Sequence, residues 1–157
     1  MNAATERVRP RPAGRCLASV LLVASAAVSV GVDANDSHLF NDAWPPHAVF
    51  HDVVLLGYLC LLAAGGLWLL WRRSAEPNVS LAAACAVVGG FWALFFVAAF
   101  FPGSSPAAHA GEAPPLPLGR MGYPNMLIAV AATPLSGLAY WLGRRQRFDQ
   151  PTPEDAR

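Results

Sequence analysis

Lysine is missing from this chain. All 11 basic residues are arginine, they face 10 Asp and Glu, and charged residues make up only 13% of the 157. A soluble domain of this size carries about 25% charge, so an ordinary water-soluble fold would lack the surface it needs. The near-cancelling balance leaves no long-range positive field, which argues against a nucleic-acid partner. Cysteine is scarce too. Cys16, Cys60 and Cys85 are odd in number, irregularly spaced and set in apolar runs; no disulfide framework or Cys-based metal site is expected from them, only small packing residues. Glycine-rich phosphate loops, dinucleotide fingerprints and a G-x-S-x-G nucleophile turn are absent, which disfavours nucleotide chemistry and serine hydrolysis. No internal repeat or low-complexity linker divides the chain, and one domain is the natural count.

What the chain has in abundance is apolar length: 55% of it is hydrophobic and the mean hydropathy is +0.38. Crossing a bilayer takes roughly 20 apolar residues, and four stretches qualify. Residues 16–32 and 53–71 carry no charge; the uncharged stretch 77–111 holds a span at about 79–101, ended by Pro102-Gly103; the fourth runs over 121–143. Backbone groups inside lipid must be satisfied within the segment, so each reads as helix. The fold class is all-α, a polytopic membrane four-helix bundle.

Arginine gives the orientation. Arg7, Arg9, Arg11 and Arg15 precede the first span, Arg72 and Arg73 follow the second, and Arg144, Arg145 and Arg147 follow the fourth, while the two remaining loops share only Arg120. By the positive-inside rule both termini are cytoplasmic and loops 33–52 and 102–122 lie outside. This divides the chain into a cytoplasmic arm (1–15), a bundle (16–145) and a polar, disordered tail (146–157), and places it in the cell membrane. Trp68, Trp71, Tyr140 and Trp141 suit an interfacial belt. The arginine-rich start followed by an apolar core also resembles a secretory signal peptide, with a small-residue cleavage site at Val32-Asp33-Ala34; cleavage would remove Asp33. Small residues at 63–66, 82–84 and 89–90 mark places where helices can approach closely.

The informative polar stretch is DANDSHLFNDAWPPHAVFHD, residues 33–52, with three of the four histidines and four of the ten acids. Pro45-Pro46 should open the second helix, with Asn41 or Asp42 as the cap region. His47 and His51 are then i and i+4 on one face, Tyr58 continues the stripe, and Asp52 is rotated about 100° from His51. Asp33 and Asp36, three apart at the outer end of the first helix, are expected on one side, within hydrogen-bond reach of that histidine pair. The second outer loop adds His109, Glu112 and Arg120, and Asn125 opens span four at matching depth. The candidate catalytic set is thus Asp33, Asp36, His38, His47, His51 and Asp52. Asn41, Trp44, Phe50, Tyr58 and Asn125 are candidate substrate contacts.

The run His38-Leu39-Phe40-Asn41, then Trp44-Pro45-Pro46-His47, then Phe50-His51 resembles a family of small uncharacterised four-span membrane proteins of bacteria and fungi. Asp42 stands here where that family more often has proline. The pattern covers 14 residues and brings no established activity. In size, span count, boundary acid/base residues and the run from Tyr123-Pro124 to Pro134, the chain is also similar to sterol-isomerase-like membrane proteins and small integral-membrane terpene cyclases, a likeness of layout.

Three chemistries fit these residues. His47 and His51 at helical spacing offer two ligands to a metal, with His38 or an Asp as third, but residues 48–50 are Ala-Val-Phe and lack the glutamate base of H-E-x-x-H; the expectation is a metal-free site without cofactor. A carboxyl desolvated at a bilayer boundary can donate a proton, a neighbouring histidine can take one back, and Trp44, Phe50 and Tyr58 can stabilise a transient cation. That set suits protonation-initiated cyclisation or isomerisation of an isoprenoid, since the D-D-x-x-D and D-x-D-D motifs of soluble terpene synthases are absent. The third option is a non-catalytic bundle that binds a lipid or a partner protein. The expected partner is a membrane lipid or isoprenoid substrate, and a homo-oligomer is compatible with the pattern.

Overall fold

The computed structural model describes residues 8–107 and 112–145. The first seven residues, His109 and the tail from 146 lie outside them. The apolar runs become α1 (Pro12–Asp33), α2 (Pro46–Trp71), α3 (Pro77–Phe100) and α4 (Pro124–Gly143), with a single 3-10 turn at Gly119–Gly122. All four α-helices are long and apolar enough to cross a membrane.

Each of these helices opens on proline, the residue whose missing N–H costs nothing in a first turn. For α2 the residue in the cap position is Pro45, without a side-chain cap bond. The expected cap at Asn41 or Asp42 does not form, because the proline pair fixes the helix start further along; Asn41 Oδ1 instead accepts the backbone N–H of Ala43 at 2.9 Å, closing a local turn. Proline also sets ends. Phe101 and Tyr123 are extended ahead of Pro102 and Pro124, as the residue before proline prefers.

The helices alternate in direction, and one end of the bundle is tied by backbone. Val8 and Ser74 exchange two hydrogen bonds of 2.9 Å as an antiparallel bridge, and Arg11 N–H donates to Gly143 O at 2.9 Å. The Asn78 side chain donates to Arg145 O and accepts from Arg145 N–H at 2.9 and 2.7 Å. Arg9, Arg11, Arg15, Arg72, Arg73, Arg144 and Arg145 therefore share this end. Each of α1 and α3 packs on both α2 and α4, and α1 and α3 also meet across the diagonal.

Lipid removes most of the hydrophobic drive between helices, so close fit and buried hydrogen bonds carry the packing. Leu22, Leu70, Leu81, Val88 and Met126 are fully buried among Ala18, Ala84, Ala129 and Ala139. Of the expected small-residue stripes, Gly66 faces Leu22 and Ala84, and Gly89 faces Ser136, while Gly65 and Gly90 face open space. The tightest crossing was not among those stripes: a Cβ on Gly14 would collide with Gly143 N and Ala139 O. Across the diagonal, buried Trp92 donates from Nε1 to Ser25 Oγ at 2.9 Å. α1 is thus a full member of the bundle, with Ala18, Leu22, Ser25 and Ser29 buried. Val20, Leu61, Leu94 and Val97 point outward, as lipid-facing positions should.

Candidate functional site

At the end opposite the arginines the loop after α1 builds a relay of hydrogen bonds. Asn35 Nδ2 donates to the carbonyls of Val32 at 2.6 Å and Gly31 at 3.2 Å, satisfying groups that a helix end leaves unpaired. That pairing fixes the amide orientation, so Asn35 Oδ1 is the acceptor for Ser37 N–H at 2.8 Å and Ser37 Oγ at 2.5 Å. The Ser37 hydroxyl has one proton and spends it on Oδ1. Its 2.7 Å contact with His38 Nδ1 must then be donated by the imidazole. Neutral His38 therefore carries its proton on Nδ1, and Nε2 is left as a base. Nε2 faces Asp33 Oδ1 at 3.9 Å, and Trp44 packs edge-on against the ring, 5.1 Å between centroids.

Asp52 comes to the same place from the second turn of α2. It acts electrostatically on Asp33, and His38 acts on both. Asp52 Oδ2 is buried and makes no hydrogen bond, an expensive position for a carboxylate oxygen. Two carboxyls and one imidazole thus converge where α1, its loop and α2 meet.

Asp33 and His38 open onto a cavity of about 330 Å³. Its walls are Val28, Ser29 and Val32 of α1, Trp92 and Phe95 of α3, and Tyr123, Asn125 and Ile128 at the start of α4, with Ser105–Ala107 and Glu112 as its loop edge. Trp92 and Phe95 lie tilted against each other at 4.9 Å between centroids. Tyr123 is held by its hydroxyl donating to Glu112 O at 2.5 Å, and Asn125 by Nδ2 donating to Pro106 O at 3.0 Å.

The other expected residues sit elsewhere. His47 and His51 do not reach Asp33 or Asp36; both are exposed, and their Nε2 atoms pair with each other at 3.0 Å. The 100° step along α2 turns Asp52 inward and the histidines outward. Asp36 is exposed because α1 ends at Asp33, so no helical face carries the two acids together. Phe50 stacks edge-on against His51 at 5.6 Å and is exposed, as is Tyr58. Asn41 lines a separate shallow depression with Phe40, Asp42 and Val49, and Trp44 stands between that depression and the His38 ring. The aromatic wall of the cavity, Trp92, Phe95 and Tyr123, was missed from sequence, since Trp92 and Phe95 lie in an apolar span with no polar face to give it a direction. Among the described residues no three His, Cys, Asp or Glu side chains gather as a metal-ligand set.

Fold and site together define a multi-pass helical membrane protein with a polar, aromatic-walled cavity at one end. The chain belongs to the family of unknown function DUF6640, which matches residues 17–155. The match covers all but the first turn of α1, the other three helices and the whole His38–His51 run. No curated protein and no solved structure matches the chain.

Proposed function

We propose that this protein is a membrane-embedded acid–base enzyme acting on a lipid-like, isoprenoid substrate at the outer face of the cell membrane. The observation that carries the reading is the Asp33–His38 pair at the mouth of a cavity walled by Trp92, Phe95 and Tyr123. The volume is within the range of small-molecule sites. In the proposed step, protonated Asp33 gives its proton to a substrate double bond. A C–H bond forms and the adjacent carbon becomes cationic. The aromatic faces stabilise that cation, and the Asp52 carboxylate supplies compensating negative charge. His38 Nε2, unprotonated by virtue of its tautomer, then removes a proton from a neighbouring carbon. The double bond re-forms one position along, or after ring closure if a second double bond attacks first. Proton transfer from His38 to Asp33 resets the pair, and no oxidant or reductant is consumed.

A second reading is a non-catalytic lipid binder. It is favoured by the fact that Tyr123 and Asn125 spend their polar groups on loop carbonyls, which makes a roofed container rather than a reactive surface. Incubation of the purified protein with unsaturated isoprenoid lipids in D₂O separates the two. The enzyme incorporates deuterium at allylic positions and Asp33→Asn does not. Retention of the lipid without deuterium incorporation by the wild type would favour the binder.

A further inference from the structure

We infer that the arginine-rich end carries a specific clamp for the phosphate of an anionic phospholipid, at the seam where residues 8–11 meet the ends of α2 and α4. Three arginines are linked there through Arg9 and Trp71. Arg145 Nε donates to Arg9 O at 2.7 Å, and Arg9 Nε donates in turn to Trp71 O at 2.7 Å. Arg15 lies over the Trp71 indole, 4.4 Å from its centroid, with its Nε buried and unbonded. Trp71 is itself fixed, since its Nε1 donates to Ser19 Oγ at 3.0 Å and that hydroxyl donates to Arg15 O at 2.9 Å. Arg9 and Arg145 are thus held through Nε and Arg15 lies over an indole, and among the described residues their terminal nitrogens make no hydrogen bond, which leaves them to a ligand. None of the three forms an ion pair with a carboxylate among the described residues, and Glu76 is the only acid described at this end.

The chemistry that such an arrangement recognises is phosphate, because oriented guanidinium forks match its oxygens in pairs. The occupant is a lipid rather than a soluble anion for two reasons. Trp68 and Trp71 are exposed beside the clamp, at the depth where indole rings mark the headgroup layer. Below them the outward faces of α1 and α2, with Val20, Val23 and Leu61 exposed, offer acyl chains a continuous apolar surface. The positive-inside rule puts this end in the cytoplasmic leaflet, where anionic lipids attract basic groups.

The test is binding to the purified full chain in detergent, read by native mass spectrometry and by thermal shift against each variant's own baseline. The probes are phosphatidylglycerol, phosphatidylcholine and inorganic phosphate. Phosphatidylglycerol is expected to bind and stabilise, and the other two not. Arg9→Gln and Arg15→Gln should each weaken it roughly fivefold. Arg15→Lys, which keeps the charge but not the planar guanidinium over Trp71, should weaken it measurably too. Arg73→Gln, whose side chain makes none of these contacts, should bind as the wild type does. Equal binding of phosphatidylcholine, or an equal loss in Arg73→Gln, would overturn the clamp in favour of a diffuse field. Inorganic phosphate binding as tightly as the lipid would overturn the lipid as occupant.

Discussion

The two ends of the bundle are built on opposite plans. At the arginine end, backbone meets backbone: Val8 with Ser74, Arg11 with Gly143, and Gly14 pressed against Gly143. At the opposite end, α1 and α4 stand on either side of a cavity, and the bonds are made by side chains and loops, Asn35 to Ser37 to His38 and Tyr123 to Glu112. The first plan tolerates no added atom. The second leaves a cavity with Asp33 and His38 in its lining. A membrane bundle short of hydrophobic drive can thus fasten its helices at one end and keep a cavity at the other.

Adding bulk at each end breaks or sharpens this contrast. Gly14→Val should cost about 3 kcal/mol by overpacking the crossing, seen as a large fall in melting temperature in detergent. Gly31→Val, at the cavity end with nothing within 4 Å of its would-be Cβ, should stay within about 0.5 kcal/mol of wild type; equal losses would mean the ends are not built differently. Next in size is chemistry without stability. Asp33→Asn should lower deuterium incorporation by about 10²-fold or more while the melting temperature holds, whereas His51→Ala should leave incorporation near the wild-type level. An equal loss in His51→Ala would move the site to the outer face of α2. Ser37→Ala tests the relay. Releasing His38 to its other tautomer should reduce incorporation roughly tenfold and change its pH profile, an effect that mere loss of a loop contact would not produce. Among the variants expected to lose stability, Trp92→Phe should lose the least: it deletes the bond to Ser25 and should cost about 0.6 kcal/mol, read from the same melt.

The helices were legible in sequence because membrane spanning is a matter of uncharged length, and Arg72-Arg73 and Arg144-Arg145 fall just beyond helix ends. The site was legible in part. His38 and Asp33 stand out as polar residues between apolar runs, and the structure sets them face to face. Where the reading departed from the structure, the cause was local geometry. Pro45 and Pro46 start α2 as the spacing implies, but the spacing does not say which side of that helix meets its neighbours; it is the side of Asp52, and His47 and His51 turn outward. Trp92 and Phe95 give no sequence signal, since a helix apolar all round does not reveal which side its neighbours occupy.

The Trp92–Ser25 bond has a consequence for biogenesis. Its two halves lie 67 residues apart, so α1 and α2 are made and can enter the bilayer well before α3 exists to receive the serine. At ordinary rates of translation that interval is roughly 3–13 seconds. During it the first hairpin sits in lipid with the polar stripe of Ser25 and Ser29 lacking its third helix. The diagonal of the bundle closes only when Trp92 arrives.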